Sequence, residues 1–256
     1  MIGAIAGDMI GSPYERYPMK NPDFFIRVAG FTDDTVLTVA AANSILKDVD
    51  YSESLKSFAL EHYSLPYGRA FRRWMNAWEK KPYNSWGNGS AMRVSPVGFA
   101  FDTIDEVLTQ AKRSAVVTHN HPDGIKGAQA TALAIFLARQ GADKETIRKE
   151  IEDRFNYDLH RTVAGIRPSY RFDISCQGSV PESIIAFLDS IDYETTVKNA
   201  ISLGGDADTM ACIAGGIAQA FYKKIPADIV LEAREKLTKD LLVVVDQFNK
   251  KYKCKY

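Results

Sequence analysis

The sequence predicts a single all-α domain over residues 1–256, and three observations carry that prediction. Apolar residues recur with helical period along most of the chain, several stretches are apolar on nearly every side, and strand-type alternation is scarce. A chain of this length can bury a substantial core without disulfides or a structural metal.

The elements follow in order. Gly3, Gly7 and Gly11 recur every four residues, so on a helix they form a smooth strip for a close neighbour. Residues 35–46 are apolar on most sides, as expected of a central buried helix. Residues 104–117 and 144–155 read as amphipathic helices, the second capped by Asp143. Residues 124–139 and 209–222 are apolar almost all round, and rich in the Ala and Gly that allow close helix approach. Pro226 is expected to open one long final helix with Leu231, Leu237, Leu241, Val244 and Phe248 on a single face. Residues 170–176 are the best extended candidate, and 13–30 and 83–93 read as irregular loops.

Charge narrows the function classes. The 32 lysines and arginines balance 32 aspartates and glutamates, so no overall field draws the chain to nucleic acid or to an anionic membrane. No segment approaches the apolar length of a membrane span. Three widely spaced cysteines argue against a disulfide framework or a zinc site. Asp8 arrives before a signal-length apolar region forms, and with the cysteine pattern this gives a cytoplasmic expectation.

Two acidic motifs stand out: Thr32-Asp33-Asp34-Thr35, and Asp206-Ala207-Asp208-Thr209 behind Gly204-Gly205. Each precedes a buried helix, and threonine and aspartate are ordinary helix caps. Capping needs one oxygen, however, and each motif crowds two carboxylates. Crowded carboxylates raise one another's pKa unless a cation neutralises them. Brought together by the fold, they would form an all-oxygen site for hard divalent cations such as Mg²⁺.

Three further elements are less specific alone. Glu15 follows the glycine strip and, beside a metal site, would orient water or move a proton; in isolation it reads as a surface glutamate. The turn Gly87-Asn88-Gly89-Ser90, running on to Arg93, presents backbone N–H groups suited to phosphate oxygens, although a tight turn needs no ligand. Thr118-His119-Asn120-His121-Pro122-Asp123-Gly124 lacks further nitrogen or sulfur ligands, so its histidines read as hydrogen-bonding or structural groups at the entrance to the next helix.

Taken together, GAIAGDMIGSPYE, FTDDT, GNGSAMR, THNHPDGIKGA and SLGGDADT, in this order from residue 3 to residue 209, resemble the ADP-ribosylglycohydrolase family, the ADP-ribosylhydrolases that include the dinitrogenase reductase-activating glycohydrolases. The resemblance implies an all-α orthogonal helical bundle with a dinuclear centre of two divalent cations, Mg²⁺ or Mn²⁺, in a cleft. It implies that Thr32, Asp33, Asp34, Asp206, Asp208 and Thr209 are metal ligands, and that Glu15, Asp33 and Asp34 serve the chemistry. It implies contacts to ADP-ribose from Gly87, Asn88, Gly89, Ser90, Arg93, His119, Gly124, Ile125 and Gly127. Some relatives carry an aromatic residue where this chain has Ile125, which points to an aliphatic contact there.

The implied activity is hydrolysis of the glycosidic bond between ADP-ribose and an acceptor, such as a modified arginine of a protein or a small-molecule conjugate. Two rivals remain: a non-catalytic ADP-ribose-binding module, and a metallohydrolase acting on a nucleotide phosphodiester.

Overall fold

The computed structural model describes residues 1–21, 23, 26–79 and 81–256. Among these residues lie α1 (Ile2–Arg16), α2 (Asp33–Lys47), α3 (Tyr51–Glu61), α4 (Arg69–Asn76), α5 (Gly89–Met92), α6 (Ser95–Ala100), α7 (Ile104–Val116), α8 (Pro122–Gln140), α9 (Lys144–Phe155), α10 (Val163–Ile166), α11 (Cys176–Leu188), α12 (Tyr193–Ser202), α13 (Ala207–Tyr222), α14 (Ala227–Lys236) and α15 (Lys239–Lys251). The only β pairing among them is an antiparallel bridge between Gly87 and Ser175. The all-α expectation is borne out.

The glycine strip explains the centre of the fold. A Cβ placed on Gly3 would lie 2.6 Å from the Gly215 carbonyl oxygen, on Gly7 2.1 Å from that of Ala211, and on Gly11 2.4 Å from that of Ala207. The partner numbers fall by fours as the α1 numbers rise, so α1 and α13 run antiparallel with their backbones nearly touching. No larger residue fits at this distance. The closeness leaves polar backbone groups to satisfy. Gln219 Oε1 accepts from the Gly3 N–H at 2.8 Å, and the buried Tyr193 hydroxyl donates to the Gly3 carbonyl at 2.7 Å.

Caps set several boundaries where the sequence predicts them. Thr32 accepts from the Asp34 N–H to start α2, and Asp143 accepts from the Thr146 N–H to start α9. His121 Nδ1 accepts from the Asp123 N–H to start α8, the structural role expected of that histidine.

Four expectations need correction. Residues 83–93 are not irregular throughout, since Gly89–Met92 form α5. Residues from Pro13 onward do not begin a loop, because α1 continues through Pro13 to Arg16. Proline supplies no N–H to the Met9 carbonyl, and that carbonyl instead accepts from the Ala29 N–H at 3.0 Å and the Ser12 hydroxyl at 3.3 Å. Glu15 therefore sits on a helix. Residues 22, 24 and 25 of the same stretch lie outside the described residues.

The final helix is two helices. Leu237 is extended and Thr238 starts α15, which turns back to pack on α2. Leu237, Leu241, Val244 and Phe248 are buried as expected, whereas Leu231, before the break, is exposed.

Residues 170–176 reduce to the one bridge at Ser175, whose side chain accepts from the Gly178 N–H and starts α11. An N-cap takes precedence there over extended structure.

Candidate active site

The antiparallel pairing carries the C-terminal end of α1 to the N-terminal end of α13, and so sets Glu15 beside Asp206. Asp8, one turn before Gly11, draws in α2. Its carboxylate accepts from the Thr32 N–H (3.0 Å), the Thr32 hydroxyl (2.7 Å), the Thr35 N–H (3.1 Å) and the Thr35 hydroxyl (2.5 Å). Both acidic motifs thus meet on α1.

The helix-cap reading separates the two motifs. Thr32 does cap α2. At the start of α13, Asp206 makes no side-chain cap bond; its Oδ2 accepts instead from the Asn88 side-chain amide at 2.8 Å. Asp208 Oδ1 accepts from the Thr209 N–H at 2.9 Å. The second carboxylate pair is therefore directed by something other than capping.

A cleft of about 360 Å³ opens where these elements meet, within the size range of small-molecule sites. Glu15, Asp33, Asp34, Asp206, Asp208 and Thr209 form one wall. Tyr83, Ser85, Gly87, Asn88, Gly89, His119 and Ile174 also line the cleft, joined to the acidic group by the Asn88–Asp206 bond, as do Pro66, Gly68, Arg69 and Phe71.

Burial pushes the carboxyls of the acidic wall upward. Asp33 is raised to about 7, first by burial, then by the charge of Asp8, with Asp206 and Glu15 adding to it. Asp34 stands well above the usual range through burial and the charges of Asp8, Asp33 and Asp206, eased by the Thr209 side chain. Asp208 is raised by burial and then by Asp34 and Asp206. Glu15 is raised by burial and by Asp206. Asp34 Oδ1 is buried with no hydrogen-bond partner among the described residues. Among the described residues, no group of three or more His, Cys, Asp or Glu side chains is arranged to hold a metal ion.

The Gly-Asn-Gly turn is braced by its own hydrogen bonds. The Asn88 N–H donates to the Ile174 carbonyl at 2.8 Å, and the Cys176 N–H to that of Trp86 at 3.0 Å. The Gly87 N–H donates to Ser85 Oγ at 3.1 Å. The Gly87 and Asn88 amides are thus spent on holding the turn rather than offered to a ligand.

Comparison with known proteins decides the family. The family model described as ADP-ribosylglycohydrolase matches residues 1–255. The chain belongs to the ADP-ribosylglycohydrolase family. It is 26% identical to ADP-ribosylhydrolase ARH3 of Gallus gallus, over 87% of this chain and 84% of that protein. It is 23% identical to ADP-ribosylarginine hydrolase Tri1 of Pseudomonas putida (strain GB-1), over 87% of this chain and 69% of that protein. A solved structure titled "ADP-ribosylglycohydrolase-related protein complex" superposes with a TM-score of 0.75 at 25% identity, covering 97% of this chain and 95% of that one.

For this member of the family, the residues expected from sequence fall into two groups. Glu15, Asp33, Asp34, Gly87, Asn88, Gly89, His119, Asp206, Asp208 and Thr209 line the cleft, and Arg93 borders it from behind, fully buried with its guanidinium on Ser114 and Thr118. Thr32 lies just behind it, bonded to Asp8. Ser90, Gly124, Ile125 and Gly127 do not line it. Ser90 is buried and donates to the Gly124 carbonyl at 2.7 Å. Gly124 and Gly127 are packing positions, where a Cβ would lie 2.6 Å from the Ser85 carbonyl oxygen and 2.4 Å from Cys176 Sγ respectively. Ile125 is half-buried against the core.

Asp8, Tyr83, Ser85, Ile174 and Arg69 were not singled out from sequence. Asp8 alone carried a signal, a charge inside a glycine-spaced apolar helix. The others reach the cleft only through tertiary packing.

Proposed function

We propose that the protein hydrolyses the glycosidic bond between ADP-ribose and an acceptor, releasing ADP-ribose, with two divalent cations, Mg²⁺ or Mn²⁺, at the acidic wall. The observation that carries this reading is one cleft lined both by a crowded group of carboxylates and by a Gly-Asn-Gly turn with a buried histidine, the two joined by the Asn88–Asp206 hydrogen bond. The first suits a ribose and its hydroxyls, the second a diphosphate.

The donor set fits hard divalent cations. All its side-chain donors are oxygens, and the unpartnered Asp34 Oδ1 supplies one with no competing partner. Mg²⁺ usually keeps several waters and takes only one or two carboxylates, so a finished cage of three protein groups is not required. Thr32, Asp33, Asp34, Asp206, Asp208 and Thr209 would hold the ions. Bound there, the cations would neutralise the carboxylates and lower the pKa of a water.

The chain's own residues account for the remaining steps. His119 and the Gly89 end of the turn position the diphosphate end, so the scissile bond lies along the acidic wall. A water oxygen bonds to the anomeric carbon as the bond to the acceptor breaks, and the carboxylates stabilise positive charge developing on the ribose. Asp33 or Asp34 takes the water's proton, and Glu15, half-buried at the cleft edge, delivers one to the departing acceptor. The acceptor is a modified protein side chain, with arginine the first to test because Tri1 is named an ADP-ribosylarginine hydrolase. The free cysteines fit a reducing, cytoplasmic setting.

The test is product analysis on arginine- and serine-linked ADP-ribose with Mg²⁺, Mn²⁺ or chelator. Intact ADP-ribose, released only with a divalent cation, is expected. Production of AMP and ribose phosphate would overturn the glycosidic reading, and undiminished turnover in chelator would overturn the cation reading.

A further inference from the structure

Among the described residues, Arg93 is the largest fully buried side chain, and no carboxylate is hydrogen-bonded or ion-paired to it. Its Nη2 donates to the Ser114 carbonyl at 2.8 Å and to Thr118 Oγ1 at 2.8 Å, while Nε and Nη1 have no hydrogen-bond partner among the described residues. A guanidinium in this position is costly to bury, and packing alone does not call for one. Its nearest functional neighbour is two hydrogen bonds away: Thr118 Oγ1 lies 2.7 Å from His119 Nδ1.

The proton count at Thr118 is constrained. Arginine only donates, so the Thr118 oxygen accepts from Arg93. Among the described residues, His119 Nδ1 is the one acceptor recorded within hydrogen-bond distance of this fully buried hydroxyl, so the single proton of Thr118 goes to Nδ1; the reverse arrangement would leave that proton buried without an acceptor. A neutral imidazole that accepts at Nδ1 carries its own proton on Nε2.

Nε2 is directed at the cleft wall. A Cβ on Gly89 would lie 3.0 Å from it, and one on Gly87 3.8 Å. Glycine at these positions leaves the space over the turn open in front of the ring nitrogen. The imidazole is buried, and burial together with the Arg93 charge holds its pKa well below the usual histidine value.

The geometry points to Arg93 and Thr118 as a relay that fixes His119 in the neutral Nε2–H tautomer. His119 is then an obligate hydrogen-bond donor to the substrate, and Arg93 and Thr118 are positioning residues that act through it. The identity of the acceptor rests on the proposed function: an ionised diphosphate oxygen, which only accepts, fits, and a donor group does not. The tautomer itself rests on this chain's own hydrogen bonds.

Imidazole ¹⁵N NMR on the ligand-free wild type tests the relay without reference to activity. The expected result is a protonated Nε2 and a bare Nδ1 for His119, unchanged from about pH 5.5 to 8. A protonated Nδ1, or a doubly protonated ring in that range, overturns the relay. Thr118→Val removes the hydroxyl and should lose the single tautomer and weaken ADP-ribose binding about tenfold, with Thr118→Ser restoring both. A Thr118→Val protein that folds and keeps both the tautomer and the affinity also overturns it. Should the wild type show the expected tautomer yet bind no ADP-ribose, the functional reading fails while the relay stands.

Discussion

Asp8 accepts the Thr32 hydroxyl at 2.7 Å across the junction of α1 and α2, and this bond ties the first acidic motif to the helix that meets the second. With the Thr32 N–H and the Thr35 N–H and hydroxyl, four donors converge on one buried carboxylate. Asp8→Asn removes the charge that these donors stabilise, and an amide NH₂ in place of Oδ1 forces the Thr32 hydroxyl to exchange its 2.7 Å bond to Asp8 for the 3.5 Å contact with Asp34 Oδ2. The expected cost is about 1–3 kcal/mol in urea unfolding, with a loss of cation affinity, read by calorimetry, because the 32–34 turn loses its anchor. A variant as stable as wild type, with unchanged Mn²⁺ affinity, would remove Asp8 from this role.

Gly7 is the tightest point of the α1–α13 contact, where a Cβ would lie only 2.1 Å from the Ala211 carbonyl oxygen. Backbone cannot yield as a flexible side chain can. Gly7→Ala should therefore destabilise the protein by about 1–3 kcal/mol or more, despite alanine's better helix propensity. A melting temperature equal to wild type would contradict the close approach.

Asp34→Asn and Asp208→Asn should each abolish turnover while preserving the helical circular-dichroism spectrum. Both side chains are buried, and each stands near other carboxylates. Removing one charge should raise the melting temperature of the cation-free protein at pH 8 and cancel the stabilisation that Mg²⁺ or Mn²⁺ gives. Wild-type rates in either variant would refute the assignment.

The Asp33 carboxyl sits at about 7 in the fold against ~3.9 in an unfolded chain. The folded state keeps a proton that the unfolded state releases between these values. The contribution is thus complete below about pH 4 and is lost as pH rises toward about 7. In cation-free protein, wild type should lose stability over this window more steeply than Asp33→Asn, with calorimetric melts at several pH values as the measurement. Parallel slopes for the two proteins would count against it.

Lys20 Nζ donates to the carbonyls of Arg167 (2.8 Å), Tyr170 (2.9 Å) and Leu203. Three carbonyls from two separate segments are gathered on one ammonium, just ahead of Gly204 and Asp206. Lys20→Met keeps the aliphatic stem and removes the donor. Amide exchange at residues 203–206 should become several-fold faster, and unchanged exchange would show that the ammonium does not brace this turn.

Much of this arrangement was legible along the chain. The glycine spacing predicted a close helix contact, the apolar runs marked α2, α8 and α13, and the paired carboxylates at 33–34 and 206–208 marked the acidic wall. Where sequence reading failed, the competing interaction was non-local. Pro13 read as a helix end, but Ala29 supplied the N–H that the Met9 carbonyl lacked, and Glu15 stayed helical. Gly124 and Gly127 read as ligand contacts, but each accommodates a neighbour, Ser85 and Cys176.

The sequence by itself determined the helical class, the crowded acidic groups and the motif order that identifies the family, because these depend on periodicity, composition and short spacing. Tertiary structure decided which of those groups share a cleft, that Asp206 turns to Asn88 rather than capping its helix, and that Arg93 faces Thr118 inside the protein. The physical reason is range. Helix periodicity and capping act over a few residues, whereas an acidic wall and a buried hydrogen-bond relay exist only once separate segments of the chain are packed against one another.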